Sequence, residues 1–374
     1  MEKRFLIVTA SIGSGHEKAA SAIAEGIRSE HPEARIDMVD FMRWDTSVVN
    51  ALMKFFYLKM LALVPNLYEF MYQFTAGKRK GGFIQVLMAY AMARSIKQLI
   101  RQYDPQVIIC THPFPAEAVS HLSGRWHDRF IAGAAITDYS VHQMWICHNL
   151  DFYFVACASM KRQLIAAGIK AEIIHVTGIP VAAVFHQPYE KAFHRRKHGL
   201  RDDLPVVLMM GGGLGLGSMD NALEQLEKIP ATWQLLVVAG KNVELKQQAE
   251  ARMAVSHHHV TVYGYTEEIQ SLMAAADVLV TKPGALTLTE AVSMHLPMVL
   301  HEPIPGPETD NARYMSGCGA AVWMHAGDNL AHVLRELLED RQLLEAMAGA
   351  AKANARPETV GQILAAIEKT AARA

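Results

Sequence analysis

The stretch TKPGALTLTEAVSMHLPMVLHEPIPGPETDN, residues 281–311, decides the fold that the sequence predicts. It follows the short apolar run 278–280, which is typical of a buried strand, and it opens with a tight turn at 282–284. A helical pattern from 286 to 295 comes next, and the apolar run 298–300 predicts a return to the sheet. Strand, helix and strand in this order indicate a parallel sheet covered by helices.

Apolar runs alternate with helical patterns twice along the chain, which predicts two Rossmann-like α/β domains. The predicted strands of the first series are 5–9, 35–39, 107–111, 131–136, 152–156 and 173–176. Those of the second series are 206–210, 235–238, 260–262, 278–281, 298–300 and 321–323. We therefore expect one domain over residues 1–180, a second over 181–355, and a C-terminal helix within 356–374 that packs back on the first domain.

Composition narrows the class of protein. A chain of 374 residues exceeds what one hydrophobic core usually serves, and 36 basic against 37 acidic residues exclude a globally basic nucleic-acid binder. The four cysteines lack CxxC spacing, so we expect neither disulfides nor zinc. No apolar run is long enough to span a bilayer, and the first apolar run leads into a glycine loop rather than a cleavage site.

An insertion at 41–100 interrupts the first domain and has an unusual composition. It is rich in aromatic residues, and from 46 to 101 there are eight Lys or Arg against the single acid Glu69. This mixture predicts a basic amphipathic surface that binds an anionic bilayer. The candidate contacts are Phe55, Phe56, Lys78, Arg79, Lys80 and Phe83. The alternative is a helical cap whose aromatic residues are simply core.

His16 follows the first strand and a glycine loop, at the start of a predicted helix. Gly15 allows the backbone to approach a ligand, and a helix N-terminus favours negative charge and holds a histidine toward its neutral form. Such an imidazole can accept a proton from a hydroxyl. Asp138 ends the fourth strand and could orient His16 or act as the base itself. A helix-capping role is the alternative for each residue. His112 ends the preceding strand and could line the same cleft, with loop packing as the alternative.

A second glycine loop, GGGLGLG at 211–217, joins a predicted strand to a helix. A row of exposed amides at a helix N-terminus suits a diphosphate, whereas a flexible connection is the alternative. The chain has no Asp-x-Asp pair, which argues against a metal-bound diphosphate. Consecutive residues of the His257 to His259 run point to opposite faces of a strand, which argues against a metal site there.

Three polar residues of the opening stretch are suited to a sugar nucleotide. Glu290 lies about one turn into its predicted helix, where a carboxylate can accept both hydroxyls of a ribose. Glu308 and Asn311 offer the acceptor and donor groups that a hexose needs. The alternative is an ordinary turn with surface acids.

Five segments together carry a resemblance that covers almost the whole chain. They are SIGSGH at 11–16, ITDYSVHQMW at 136–145, VTGIPV at 176–181, GYTEEIQSLMAAADVLVTKPGALTLTEA at 264–291 and PGPETDN at 305–311. These segments resemble the family 28 glycosyltransferases that build glycolipids, namely plant monogalactosyldiacylglycerol synthases and bacterial processive diacylglycerol glucosyltransferases. The resemblance implies the GT-B fold, in which two Rossmann-like domains with parallel sheets face a central cleft. It also implies a UDP-sugar bound mainly by the second domain, a lipid acceptor bound by the first, and inversion without a metal or other cofactor.

Carried over by position, the resemblance implies roles for single residues. His16 and Asp138 would be the candidate bases. The predicted donor-binding residues are Gly15, Gly212, Gly213, Tyr265, Lys282, Gly284, Thr287, Glu290, Glu308 and Asn311. Pro307 stands where the family loop reads Gly-Gln-Glu, so the choice between glucose and galactose stays open.

The sequence therefore predicts a hexosyltransferase that uses UDP-glucose or UDP-galactose and glycosylates the hydroxyl of diacylglycerol, once or processively. We expect it in the cytoplasm, peripheral on the inner face of the cell membrane, with no nucleic-acid partner. Two alternatives are a related transferase acting on a polyprenyl-linked wall precursor and a non-catalytic sugar-nucleotide-binding protein.

Overall fold

The computed structural model describes residues 3–11, 14–44, 81–126, 129–211, 224–227, 233–254, 256–301, 303 and 306–373. The chain forms two compact units. The first comprises Met1–Ala183, Pro305–Pro307 and Glu358–Ala374, and the second comprises Val184–Ile304 and Glu308–Pro357. Several predicted site residues lie outside the described part, namely Phe55, Phe56, Lys78, Arg79, Lys80, Gly212, Gly213 and the side chain of Phe83.

The first unit is built on a parallel sheet of six strands in the order β2-β1-β3-β4-β5-β6. The strands are β1 (Arg4–Thr9), β2 (Arg35–Asp40), β3 (Val107–Cys110), β4 (Ile131–Ala135), β5 (Phe152–Val155) and β6 (Ile174–Val176). The helices are α1 (Ser14–Glu30), α2 (Phe41–Trp44), α3 (Gly81–Tyr103), α4 (Pro113–Trp126) and α5 (Ala158–Ala166). Every residue of the inner strands β3, β4 and β5 is buried, as expected for a parallel sheet covered on both faces.

Gly133 in β4 pairs with Phe152 in β5, and the space beside it is filled by that residue. A Cβ at Gly133 would overlap both the ring and the carbonyl oxygen of Phe152. We expect Gly133→Ala to lower the free energy of unfolding by about 3 kcal/mol, because backbone cannot move aside as cheaply as a side-chain tip.

Chemical denaturation measures this change, and Gly124→Ala in α4 is the matched control. A Cβ at Gly124 would lie 3.6 Å from its nearest neighbour, Asn149 Nδ2, so the substitution fits without displacement. The control should leave stability unchanged or raise it by up to about 1 kcal/mol, because alanine favours the helix. Equal stability of the two variants would mean that β4 and β5 can shift to accommodate the added Cβ without loss of stability.

The second unit has a parallel sheet of six strands in the order β12-β11-β10-β7-β8-β9. The strands are β7 (Val206–Met210), β8 (Gln234–Val238), β9 (His259–Tyr263), β10 (Val278–Thr281), β11 (Met298–Leu300) and β12 (Ala321–Trp323). The helices are α6 (Lys191–Lys197), α7 (Val243–Met253), α8 (Ile269–Ala275), α9 (Ala285–Ser293), α10 (Pro307–Gly317), α11 (Leu330–Glu339) and α12 (Arg341–Asn354). Counted within the unit, the strand order is that of a dinucleotide-binding sheet, so the α/β class with two Rossmann-like sheets is confirmed.

The last helix, α13 (Thr359–Ala371), belongs to the first unit. Ile363, Leu364 and Ile367 are buried in the core of that unit, and Gly26 of α1 leaves the space that Val360 occupies. The observed division falls after Ala183, three residues beyond the predicted boundary, and the final segment begins at Glu358.

In each sheet the strand order reverses at one place, between β1 and β3 in the first unit and between β7 and β10 in the second. Open α/β sheets bind their ligands at the carboxyl ends of the strands beside such a reversal. The segments that follow β1, β3 and β10 are therefore where functional side chains are expected. Among the described helices, none is long and apolar enough to cross a membrane.

Candidate functional site

His16 lies in the first turn of α1, directly after the strand at which the first sheet reverses. Its Nδ1 atom is 2.8 Å from the carbonyl oxygen of Thr111 and 2.6 Å from Oγ1 of Thr137. Thr111 follows β3, and Thr137 lies just beyond β4. The side chain is thus held by the carboxyl ends of two neighbouring strands.

The contact with Thr111 determines which ring nitrogen of His16 carries the proton. A carbonyl oxygen only accepts hydrogen bonds, so the short contact requires an N–H at Nδ1. The neutral ring then has its lone pair on Nε2. His16 is therefore a proton acceptor at Nε2, which is the form that a general base needs.

Burial of the His16 ring lowers its pKa to about 4, although the hydrogen bond to Thr111 acts in the opposite direction. The ring is neutral at neutral pH as a result. The position of His16 at a helix N-terminus also favours the neutral form, but the larger cause in the structure is loss of solvent around the ring.

His112 packs edge-on against His16, with ring centroids 4.7 Å apart and an interplanar angle of 75°. Its Nδ1 accepts a hydrogen bond from the backbone N–H of Phe114 at 3.2 Å, so its own proton lies on Nε2. Burial and the neighbouring His16 ring lower the pKa of His112 well below its usual value. His112 is therefore neutral, and its ring lines one side of the His16 ring.

Asp138 follows Thr137 and is partly buried. The structure thus places both candidate bases at the same edge of the first sheet. Their catalytic roles stay predictions, as does the proximity of Gly15, in the first turn of α1, to a ligand.

In the second unit Lys282 directly follows β10, at the other strand-order reversal. Its Nζ atom is 3.2 Å from Oε1 of Glu308, and the two side chains are only 17% and 16% exposed. Asn311 is fully buried, and its Nδ2 donates to the carbonyl oxygen of Pro283 at 3.2 Å. Two polar contacts therefore tie α10 to the turn at 282–284.

Pro307 is the first residue of α10. Proline suits this position because the first backbone N–H groups of a helix lack intrahelical acceptors and the fixed φ of proline favours the helix. The departure from the family loop thus coincides with a helix start, immediately before Glu308.

Glu290 lies in α9, where its side chain is 3% exposed, and Thr287 on the same helix is partly buried. Gly284 is the N-cap of α9 and has an ordinary φ of −68°, so its backbone does not require glycine. The contacts of Glu290 with a ribose and of Asn311 with a hexose stay predictions. The buried Asn311 amide also supports the turn at 282–284 through its hydrogen bond to Pro283.

Tyr265 follows β9 and is 57% exposed. Lys241 lies beyond the carboxyl end of β8 and places its Nζ atom 5.2 Å from the centre of the Tyr265 ring, within cation–π range. The role of Tyr265 in donor binding stays a prediction, and sequence reasoning missed its neighbour Lys241. It also missed Thr111 and Thr137 as partners of His16, although both follow apolar runs at strand ends, which is the signal that could have found them.

Among the described residues, no group of three or more His, Cys, Asp or Glu side chains is placed to hold a metal ion. His257 pairs with Glu227 across 3.4 Å, and the neighbouring His258 bonds to the carbonyl oxygen of Leu226 at 3.0 Å. All four cysteines are free.

Comparison with known proteins agrees with this architecture. The first half of the chain, residues 16–181, matches the model of the monogalactosyldiacylglycerol synthase family, and residues 190–354 match that of the glycosyl transferases group 1. The structure of MurG from Acinetobacter baumannii aligns with 98% of this chain over 100% of its own length. The two chains are 17% identical, and the TM-score is 0.66. The structure of Anabaena Alr3699/HepE in complex with UDP aligns with 98% of this chain over 98% of its own length. The two chains are 15% identical, and the TM-score is 0.59. The fold is therefore that of a GT-B glycosyltransferase.

Curated relatives define the family more closely. A processive diacylglycerol beta-glucosyltransferase of Bacillus mycoides (strain KBAB4) is 31% identical over 96% of this chain and 92% of its own length. The corresponding enzyme of Bacillus pumilus (strain SAFR-032) is 28% identical over 92% of this chain and 89% of its own length. The chain belongs to this family of diacylglycerol glycosyltransferases, as the sequence motifs predicted.

Proposed function

We propose that the protein transfers glucose from UDP-glucose to the hydroxyl of diacylglycerol and then extends the product with further glucose. The observation that carries the proposal is the 31% identity to a processive diacylglycerol beta-glucosyltransferase over 92% of that relative. The name of the relative favours glucose over galactose, which the motifs of the chain leave open. Its name also favours repeated addition over a single transfer.

The proposed chemistry is a single displacement. UDP-glucose carries its sugar in α linkage, so a β product requires attack from the opposite face of the ring. The lipid hydroxyl forms a bond to C1 while its proton passes to Nε2 of His16, and UDP leaves with the electrons of the broken C1–O bond. His16 fits this step because it is neutral and has its lone pair on Nε2. Asp138 is the second candidate for the base.

The donor is proposed to bind in the second unit, beside the turn at 282–284. Lys282 supplies a positive charge for the diphosphate, Glu290 accepts the ribose hydroxyls, and Glu308 bonds the hexose. We propose that no metal or other cofactor takes part. Full activity after treatment with EDTA supports this view, and activity restored only by added Mg²⁺ or Mn²⁺ contradicts it.

Lys282→Ala is expected to weaken UDP binding by about tenfold or more, because a hydrogen bond to a charged group contributes about 1.5–3 kcal/mol. Glu308→Gln is the matched variant, since it removes the negative charge beside Lys282 and keeps the side-chain size. It should leave UDP affinity equal or higher while raising the KM for UDP-glucose. Calorimetry with UDP measures the UDP affinity of both variants, and initial rates measure the KM for UDP-glucose. Equal losses of UDP affinity in the two variants would show that the ion pair has only a structural role.

The lipid acceptor places the reaction at a membrane surface. We propose that the protein is peripheral on the inner face of the cell membrane and that the basic, aromatic insertion at 41–100 binds anionic lipid. Co-sedimentation with anionic vesicles at low salt supports this assignment, and equal recovery with neutral vesicles contradicts it.

One assay tests the function. Purified protein is incubated with vesicles containing diacylglycerol and with UDP-glucose or UDP-galactose, and mass spectrometry counts the sugars added. A series of products with one, two and more glucose units is expected. Transfer only to a polyprenyl-linked acceptor, or UDP-sugar binding without transfer to either lipid, would replace the proposal by one of its alternatives.

A further inference from the structure

We infer that Thr111 and Thr137 are the positioning residues of His16, which hold its Nδ1 side so that Nε2 is the atom left to receive the acceptor proton. The inference rests on the proposed function for its catalytic meaning. The geometry of the three residues supports it independently of which lipid is the acceptor.

Thr111 contacts His16 twice. Its carbonyl oxygen accepts from Nδ1 at 2.8 Å, and its Oγ1 donates to the backbone carbonyl oxygen of His16 at 3.0 Å. Thr111 is itself fully buried, and its N–H extends the β1–β3 pairing by donating to the carbonyl oxygen of Val8 at 3.1 Å. The backbone and the ring of His16 are therefore both fixed to the end of β3.

Thr137 gives the ring its second contact. Its Oγ1 lies 2.6 Å from Nδ1, and the side chain is 5% exposed. Since the proton on Nδ1 is already required by the carbonyl oxygen of Thr111, the hydroxyl of Thr137 must offer its lone pair to the same N–H. The two oxygens thus share one donor, and rotation of the ring by half a turn would break both contacts.

Both oxygens at Nδ1 are neutral, in contrast to the carboxylate that orients histidine in a Ser-His-Asp triad. A neutral acceptor fixes the ring without attracting a second proton to it. Two titratable groups adjoin these residues: His112, whose ring packs against His16, and Asp138, which follows Thr137 in the chain. The arrangement predicts a base that stays unprotonated in moderately acidic solution.

Three substitutions of Thr137 test the inference. Thr137→Val keeps the shape and removes the oxygen, so kcat should fall about tenfold or more while the KM for UDP-glucose stays unchanged. Thr137→Ser restores the oxygen and should recover kcat to within about twofold of wild type. A loss of kcat in the serine variant equal to that in the valine variant would contradict the inference.

Thr137→Asp places a carboxylate beside Nδ1 and provides the sharpest measurement. In the wild-type protein the acid limb of kcat/KM should have its midpoint near the His16 pKa of about 4, because protonated His16 cannot accept a proton. The carboxylate favours the imidazolium, so the midpoint should move upward, toward or above the ordinary histidine value of 6.5. An unchanged midpoint would overturn the inference.

Nitrogen NMR of ¹⁵N-histidine-labelled protein separates this inference from the proposed function. The His16 signals, assigned by their loss in His16→Gln, should show a proton on Nδ1 in the wild type and also in Thr137→Val, because the carbonyl oxygen of Thr111 still accepts from that nitrogen. A proton on Nε2 in the wild type overturns the inference even if the lipid is glycosylated. If the protein shows the proton on Nδ1 but transfers no sugar, the positioning of His16 stands and only the proposed function is refuted.

Discussion

The His16→Ala protein is expected to bind UDP as tightly as the wild type and to transfer sugar about 10²–10⁴ times more slowly, the range typical of a lost general base. The lipid hydroxyl is a weak acid, so its attack on C1 needs a proton acceptor in the transition state. Nε2 of His16 is such an acceptor, because the contact of Nδ1 with Thr111 fixes the ring proton on the other nitrogen. Initial rates with diacylglycerol vesicles and UDP-glucose measure the loss, and calorimetry with UDP measures binding.

His332→Ala is the matched control for this experiment, because His332 lies on the surface of the second unit and its side chain is 57% exposed. It should retain the wild-type rate. Asp138→Asn distinguishes the two candidate bases. A large loss in this variant together with a wild-type rate in His16→Ala would assign the base to Asp138 and would leave His16 as a buried helix-start residue.

Much of the fold was predictable because the inner strands are buried on both faces. The runs 206–210 and 278–281 consist almost entirely of branched or long apolar residues, and each became a fully buried strand with the predicted bounds. The C-terminal helix was predictable as a separate element because Pro357 ends the preceding pattern. Several strand ends differ from the prediction by one residue, since the last ladder positions depend on the neighbouring strand.

The environment of His16 could not be predicted in the same way. Thr111 and Thr137 are 95 and 121 residues away from it in sequence, and they meet it only because β1, β3 and β4 are neighbours in the sheet. The sequence identified the edge at which ligands bind but not the atoms that converge there. A polar residue type also allows several roles: the contact of Asn311 with a hexose stays a prediction, and its buried amide also bonds the carbonyl oxygen of Pro283.

The second large effect concerns the stability of the second unit. Arg195 of α6 is buried, and Nη2 lies 2.6 Å from Oδ2 of Asp277, just before β10. Two further guanidinium nitrogens, Nε and Nη1, donate to the carbonyl oxygens of Ala275 at 3.1 Å and Asp202 at 2.8 Å. Asp277 Oδ2 also accepts from the N–H of Val206 at 2.8 Å, so one carboxylate holds α6 to the starts of two central strands.

Arg195→Leu is expected to lower the free energy of unfolding of this unit by about 3–5 kcal/mol, because it removes the donor of two carbonyl oxygens and leaves the partly buried Asp277 carboxylate with only Lys191 and the N–H of Val206. Urea unfolding, with hydrogen exchange at β7 and β10, measures the loss. The exposed pair of Arg201 and Asp203 provides the control, and Arg201→Leu should leave the transition unchanged. The double variant Arg195→Leu with Asp277→Leu also removes the carboxylate that has lost its guanidinium partner, and it should therefore be more stable than Arg195→Leu alone. If the double variant is the less stable of the two, Asp277 stabilises the unit chiefly through Val206 and Lys191, and Arg195 is not its essential partner.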